Sequence, residues 1–264
     1  MSGPDRVDPF VRLAPRPVAR RALVAAALAL PGAARANAPV PQGAPQRVNL
    51  MFCGDSLAQG LFLTLNPILR RRDGMRVTNG TQHATGITRG DEHDWPTVTR
   101  DLVARHRPDL VIVWIGANDF RPLVLREQRS RLTFGTDAFA EHYARRVKEM
   151  ATAVADGGGR AVWLGLPNMR DAQFAGAVRT LNELQAAGAE QGGALFVPTW
   201  DATSDAQGRY TAVMEGQRGP RGFRAEDGVH FTDFGYRRIA AIAFDRAAES
   251  FPEVAGGLAG AGEA

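Results

Sequence analysis

Five short apolar runs, each closed by a glycine, a proline or a polar residue, recur between residues 47 and 197, with amphipathic stretches between them. Leu110-Val-Ile-Val-Trp-Ile115 is the most apolar of the five. A strand with one face in water would alternate polar and apolar positions, so an unbroken run expects cover on both faces. Arg47–Cys53, Met75–Thr78, Ala161–Leu166 and Ala194–Val197 read as the other strands. Helical spacing marks residues 59–72, with Leu61, Leu65, Ile68 and Leu69 on one side, and residues 97–106, 137–155, 171–190 and 233–250. Gly157-Gly158-Gly159 separates one helix from the strand after it. Such alternation predicts an α/β chain: a single three-layer α/β/α domain around a parallel doubly wound sheet, with ligands beyond the strands' carboxyl ends. Neither an internal repeat nor a second domain is visible.

The two ends read differently. Arg12, Arg16, Arg20 and Arg21 precede an uncharged apolar stretch, Ala22–Leu30, which Pro31-Gly32 terminates before Ala34-Arg35-Ala36. That order predicts a secretory signal over residues 1–36, and hence a periplasmic or secreted protein, by the Sec route or, through Arg20-Arg21, the twin-arginine route. Residues 37–46 read as a linker, 47–250 as the folded domain and 251–264 as a flexible tail. Six arginines against two aspartates in residues 1–36 account for the whole formal charge of +4. The body is balanced and carries no basic field for nucleic acid. Cys53 is the single cysteine, which excludes an internal disulfide, and the histidine spacing gives no helical metal site. No apolar run reaches the ~18 residues of a membrane span. The sequence gives no sign of oligomeric state.

Three polar clusters fall at strand ends. Gly54-Asp55-Ser56-Leu57 follows the first strand. A serine there can place its hydroxyl at the sheet edge and its N–H at a helix start, as a nucleophile and oxyanion donor would, or it can simply cap the helix. Gly116-Ala117-Asn118-Asp119 follows the strand Leu110–Ile115. The Asn118 amide can donate to a developing negative oxygen; a polar turn is the plainer reading. Asp227-Gly228-Val229-His230 precedes the last helix and can supply an imidazole and the carboxylate that orients it. His106 and His142 fall on helices, His83 and His93 in a loop.

Taken together, these blocks resemble the SGNH (GDSL) hydrolase superfamily over most of residues 47–248. Thr85-Gly86 stands where that pattern has its glycine block, and Asp227 to Thr232 matches the last block. Phe134-Gly135-Thr136, Gly165-Leu-Pro-Asn-Met-Arg170 and Arg224-Ala-Glu-Asp227 are similar to one bacterial periplasmic branch, long classed as a domain of unknown function. The resemblance implies a five-stranded parallel, flavodoxin-like sheet. It also implies Ser56 as nucleophile, His230 as general base and acid, and Asp227 as its carboxylate. The oxyanion hole would comprise the Ser56 and Gly86 N–H groups and the Asn118 amide. No metal or organic cofactor is expected. Asp55 and Asp119 are read as braces of their loops.

The expected activity is that of an exported serine esterase removing O-acyl groups, most simply acetyl, from a cell-envelope polysaccharide or peptidoglycan. The other readings are an envelope O-acyltransferase using the same triad, a noncatalytic glycan-binding or assembly module, and, more weakly, a lipase or thioesterase. Trp95 and Trp200 can stack on a sugar or pack in the core, whereas Trp114 and Trp163 lie within strands. Arg209, Arg218, Arg221 and Arg224, interleaved with glycines, suggest a mobile arginine-bearing lid or a solvated loop. Arg121–Arg131 forms a second basic loop with the same two readings. Trp95, Arg221 and Arg224 are the candidates for substrate contact.

Overall fold

The computed structural model describes residues 47–125 and 130–258. The expected signal and linker lie outside the described residues, as do 259–264 of the expected tail.

Strand β1 (Val48–Gly54) is inaccessible to water at nearly every position, and helix α1 (Ser56–Leu69) buries Leu57, Leu61, Leu65 and Leu69, one residue per turn. Strand β2 (Met75–Thr81) runs three residues beyond the expected stretch because its last positions pair with β1 through Gly54↔Thr81. Helix α2 (Trp95–His106) then leads to β3 (Leu110–Trp114), buried throughout as an apolar run between two helical layers should be. Helix α3 (Asp137–Asp156) is capped by the Thr136 hydroxyl, which accepts the Phe139 N–H. Its buried stripe is Phe139, Tyr143, Val147, Met150 and Val154. Strand β6 (Arg160–Leu164), helix α4 (Ala172–Gln191), strand β7 (Leu195–Val197) and helix α5 (Asp233–Ser250) complete the alternation.

The five main strands are parallel in the order β2-β1-β3-β6-β7. This is the doubly wound, flavodoxin-like sheet expected. The chain moves outward from β1 to β2, then returns to the other side of β1 as β3. The crevice of such a sheet opens where that reversal occurs, between the carboxyl ends of β1 and β3. Gly54 marks the spot. Its φ is +137°, and a Cβ there would lie 2.0 Å from the Trp114 carbonyl oxygen, so only glycine lets β1 turn against its neighbour.

Three segments differ from the expected picture. The basic loop after Asn118 contains an antiparallel pair, β4 (Leu123–Leu125) with β5 (Ser130–Leu132). The arginine–glycine segment before Asp227 contains a hairpin, β8 (Val213–Gly216) with β9 (Gly219–Gly222), in place of an irregular loop. Residues 252–258 form α6 (Pro252–Leu258), where a flexible tail was expected. Val254 and Leu258 are buried there, and sheltering two aliphatic side chains from water offsets the cost of ordering about two extra helical turns. Among the described residues, no helix is long and apolar enough to cross a membrane.

Candidate active site

Asp55, rather than Ser56, caps α1. Its Oδ1 accepts the Leu57 N–H at 2.9 Å, while Oδ2 accepts the N–H groups of Gly116 and Ala117 at 2.8 and 3.0 Å. One carboxylate therefore clamps the ends of β1 and β3 together. Ser56 is freed from capping and occupies the first turn of α1, where backbone N–H groups have no acceptor within the helix. Burial pushes the Asp55 carboxyl up to about 7, against the pull of its backbone donors.

Asp119 performs the corresponding task between the β3 arm and the loop carrying Gly86. It accepts from Ile87 N–H, Thr88 N–H, the Thr88 hydroxyl and the Tyr143 hydroxyl, all between 2.9 and 3.1 Å. Burial raises its carboxyl too. A Cβ on Gly86 would stand 2.2 Å from Asp119 Oδ1, so the absence of a side chain lets the two loops close. Asn118 Nδ2 donates one hydrogen to the Thr85 carbonyl at 2.9 Å, which fixes the plane from which its second hydrogen projects. Ala84 holds φ at +58°, an uncommon backbone for alanine, two residues before Gly86. The structure thus sets Gly86 and Asn118 side by side.

The third arm comes from the far end of the sequence. His230 Nε2 lies 2.7 Å from Ser56 Oγ, and His230 Nδ1 lies 2.6 Å from Asp227 Oδ2. Asp227 Oδ1 accepts the N–H groups of Val229 and His230 at 2.8 and 2.9 Å. Partial burial would raise Asp227, but the imidazole bond and these donors outweigh it and hold the carboxyl at about 2. An ionised carboxylate can only accept, so Nδ1 carries the proton in the neutral ring. Nε2 is then left to accept from the Ser56 hydroxyl.

What holds this arm was only partly visible in the sequence. Gly228 has φ +75°, and a Cβ there would come within 2.6 Å of the Arg170 Cβ. Arg170 donates to the carbonyls of Glu226 and Asp227. Arg224 is buried and donates to the carbonyls of Asn168, Gly228, Val229 and His230. Desolvation lowers its guanidinium to about 10. Phe231 is 5.4 Å from Trp114 and 5.2 Å from Phe223 between ring centres, with the Arg224 guanidinium 4.2 Å from its own. Burying such a ring contributes roughly 2 kcal/mol and pins the loop to the sheet.

Two of the three candidates for substrate contact are corrected by this geometry. Trp95 is fully buried, and its indole N–H donates to Thr85 Oγ1 at 3.2 Å, so it supports the Gly86 loop and offers no face to a sugar. Arg224 serves the backbone of the Asp227–His230 loop with the side chain expected to meet substrate. Arg221 alone is exposed, on β9, with its guanidinium 4.5 Å from the Phe234 ring centre. One ring of Trp200 is stacked by Arg179 at 4.0 Å. Trp114 and Trp163 are core residues, as expected. Among the described residues, no group of three His, Cys, Asp or Glu side chains is placed to hold a metal ion.

A doubly wound sheet presenting these blocks along one edge defines the SGNH (GDSL) hydrolase fold. A GDSL-like lipase from Bacteroides thetaiotaomicron is similar at 16% identity, with a TM-score of 0.53 over 80% of this chain and 92% of that one. An acetyl esterase variant solved with acetate gives 13% identity and a TM-score of 0.51 over 78% and 99% of the chains. A variant of an acetyl xylan esterase from Geobacillus stearothermophilus gives 18% identity and a TM-score of 0.50 over 75% and 93%. Within that fold, the chain belongs to the family described as protein of unknown function (DUF459), whose model matches residues 49–246. No curated protein matches it by sequence.

Proposed function

We propose that this chain is an exported serine esterase that removes O-acyl groups from a cell-envelope glycan, acetate being the smallest such group. The reading rests on one observation: a hydroxyl, an imidazole and a carboxylate from opposite ends of the domain stand in hydrogen-bond sequence at the sheet edge. The fold neighbours that are esterases lend support. Ser56 Oγ attacks the ester carbonyl carbon as its proton passes to His230 Nε2. The carbonyl π pair moves to oxygen, where the N–H groups of Ser56 and Gly86 and the Asn118 amide receive it. Collapse of this intermediate expels the alcohol, which leaves with the proton from Nε2. Water then repeats the sequence on the acyl-serine and releases the carboxylic acid. Asp227 holds the ring's tautomer and stabilises the imidazolium in both halves. Exposed Arg221 is the side chain offered to an anionic glycan.

Incubating the processed protein with acetylated envelope glycans, with and without an unacetylated acceptor, tests the assignment. Mass spectrometry should find free acetate and an acyl adduct on Ser56. Acyl transfer to the acceptor without free acetate would reassign it as a transferase. A Ser56→Ala protein that kept the wild-type rate would overturn the nucleophile. Export predicts a mature chain beginning after Ala36, readable by N-terminal sequencing of the secreted or periplasmic protein.

A further inference from the structure

The charge balance of the folded body conceals a local excess at the amino-terminal end of the sheet, the end opposite Ser56. The turn from α1 into β2 and the start of β2 carry Arg70, Arg71, Arg72 and Arg76 against Asp73. The end of α2 and the turn into β3 add Arg105 and Arg107, beside Asp109. Backbone hydrogen bonds hold these two turns on either side of the start of β1. The Gly74 carbonyl accepts the Val48 N–H, and the Asn49 carbonyl accepts the Asp109 N–H, each at 2.9 Å. The Asn49 side-chain amide donates to the carbonyls of His106 and Arg107 as well. Arg47 enters β1 between the two turns.

All of these arginines except Arg72 are exposed. None of the exposed ones forms a salt bridge with a described residue, whereas Arg89, Arg145, Arg209 and Arg246 each pair with a carboxylate close by in sequence. Asp109 is already engaged, its Oδ2 accepting the Asn49 N–H at 2.8 Å. Like charges gathered in this way repel one another and gain from an external anion. Guanidinium groups suit phosphate in particular, which they meet through paired N–H donors. Their spread over three chain segments fits a surface of many phosphates better than one small ion. The path of the chain points the same way. Residues 37–46 alone separate Arg47 from the expected signal, a reach of about 35 Å at full extension, so a signal lodged in a bilayer keeps Arg47 within that distance of it.

We propose that the arginines at the amino-terminal end of the sheet dock the domain on an anionic phospholipid surface. Strand β1, about 20 Å of extended chain, then stands between the lipid and Ser56, so the catalytic edge faces away from the bilayer. The docking does not depend on the esterase reading, and it is measured without an ester.

The test mixes the full chain with vesicles of phosphatidylcholine, alone or with phosphatidylglycerol, and labels arginines with phenylglyoxal before mass spectrometry. The expected result is protection of Arg70, Arg71, Arg76, Arg105 and Arg107 on the anionic vesicles alone. Exposed Arg121, Arg209 and Arg218, which follow the carboxyl ends of the strands, should stay reactive, and added salt should abolish the protection. Replacing Arg70, Arg71 and Arg76 together by glutamine should raise the lipid concentration that half-protects Arg105 and Arg107 ~100-fold, or about fivefold per arginine. Lysine at the same three positions should retain most of the docking, and Arg121→Gln with Arg209→Gln and Arg218→Gln, which removes equal charge, should leave it unchanged. The leader is common to all these proteins, so the difference reads the patch; an unchanged urea midpoint shows that the glutamine variant is folded. Equal protection on neutral vesicles, protection confined to the leader's arginines, or a folded glutamine variant that docks like the wild type overturns the proposal. Protection by soluble polyphosphate with none by vesicles overturns it too and assigns the patch to a soluble polyanion. The expected protection in a chain that cleaves no ester overturns the esterase reading alone.

Discussion

Asp55 and Asp227 each sit beside one of the two groups that share a proton, yet their surroundings are opposites. Asp55 has no exposed surface and spends both oxygens on backbone N–H groups; its carboxyl is pushed up to about 7. Asp227 keeps 48% of its side chain exposed, gives one oxygen to an imidazole, and is held down at about 2. The first is built to hold strands. The second stays charged beside an imidazole that, in the proposed mechanism, changes its own charge. Burial alone therefore does not identify the functional carboxylate of a site; the partner does.

Replacing Asp227 should give the largest effect. Asp227→Asn frees the imidazole to adopt the wrong tautomer, and kcat on a simple ester should fall ~10⁴-fold, with a loss of folding stability smaller than that of Asp55→Asn because Asp227 is half exposed. A comparable loss of folding stability would erase the contrast. Asp55→Asn should do the reverse in kind. An amide cannot accept from Gly116 and Ala117 through its NH₂ end, so urea unfolding should show about 2–4 kcal/mol of lost stability. Arg224→Met removes the donor shared by four loop carbonyls, and we expect kcat to drop ~10²-fold with KM little changed, with Arg224→Lys recovering part of it. Similar losses in kcat and KM would mean that Arg224 meets substrate after all.

The smallest effect is on the pH dependence of stability. With Asp55 at about 7 when folded and near 3.8 when unfolded, the folded protein retains a proton that the unfolded chain releases between these values. The Asp55 contribution is complete below the lower value and is lost as pH rises to 7. Asp227 has the opposite sign: its contribution is present above 3.8 and disappears as pH falls toward 2. Asp55→Asn should thus flatten the stability curve between pH 4 and 7, whereas Asp227→Asn should change the slope only in the acid limb and lower the level above it. Equilibrium unfolding at a series of pH values separates the two.

The main sheet was legible in the sequence because its strands are buried on both faces and read as unbroken apolar runs, Leu110–Ile115 above all. The hairpins β4–β5 and β8–β9 were not. Their strands are three or four residues long, too short for periodicity to show, and β5, β8 and β9 are largely exposed; β4, Leu123-Val-Leu125, is apolar and buries Leu123, but three residues do not mark a strand. The polar blocks around Ser56 and Asn118 announced themselves by falling at strand ends and that around His230 by preceding the last helix; the structure joins the first to the second through Asp55 and to the third through the Ser56–His230 contact. The roles of Trp95 and Arg224 were misjudged for a common reason. Both residue types bind ligands when exposed and brace backbone when buried, and exposure is a property of the folded chain. Arg170 carried a weaker signal: it closes the Gly165–Arg170 run, but its hold on the Glu226 and Asp227 carbonyls spans more than fifty residues.

The 174 positions separating Ser56 from His230 carry a consequence for the life of the chain. A ribosome delivers the hydroxyl well before the imidazole, so no nascent fragment ending before Asp227 can hold the complete relay. In the proposed esterase reading, chemistry switches on only when the Asp227–His230 segment docks against the turn after β1, which would make activity itself a reporter of that docking.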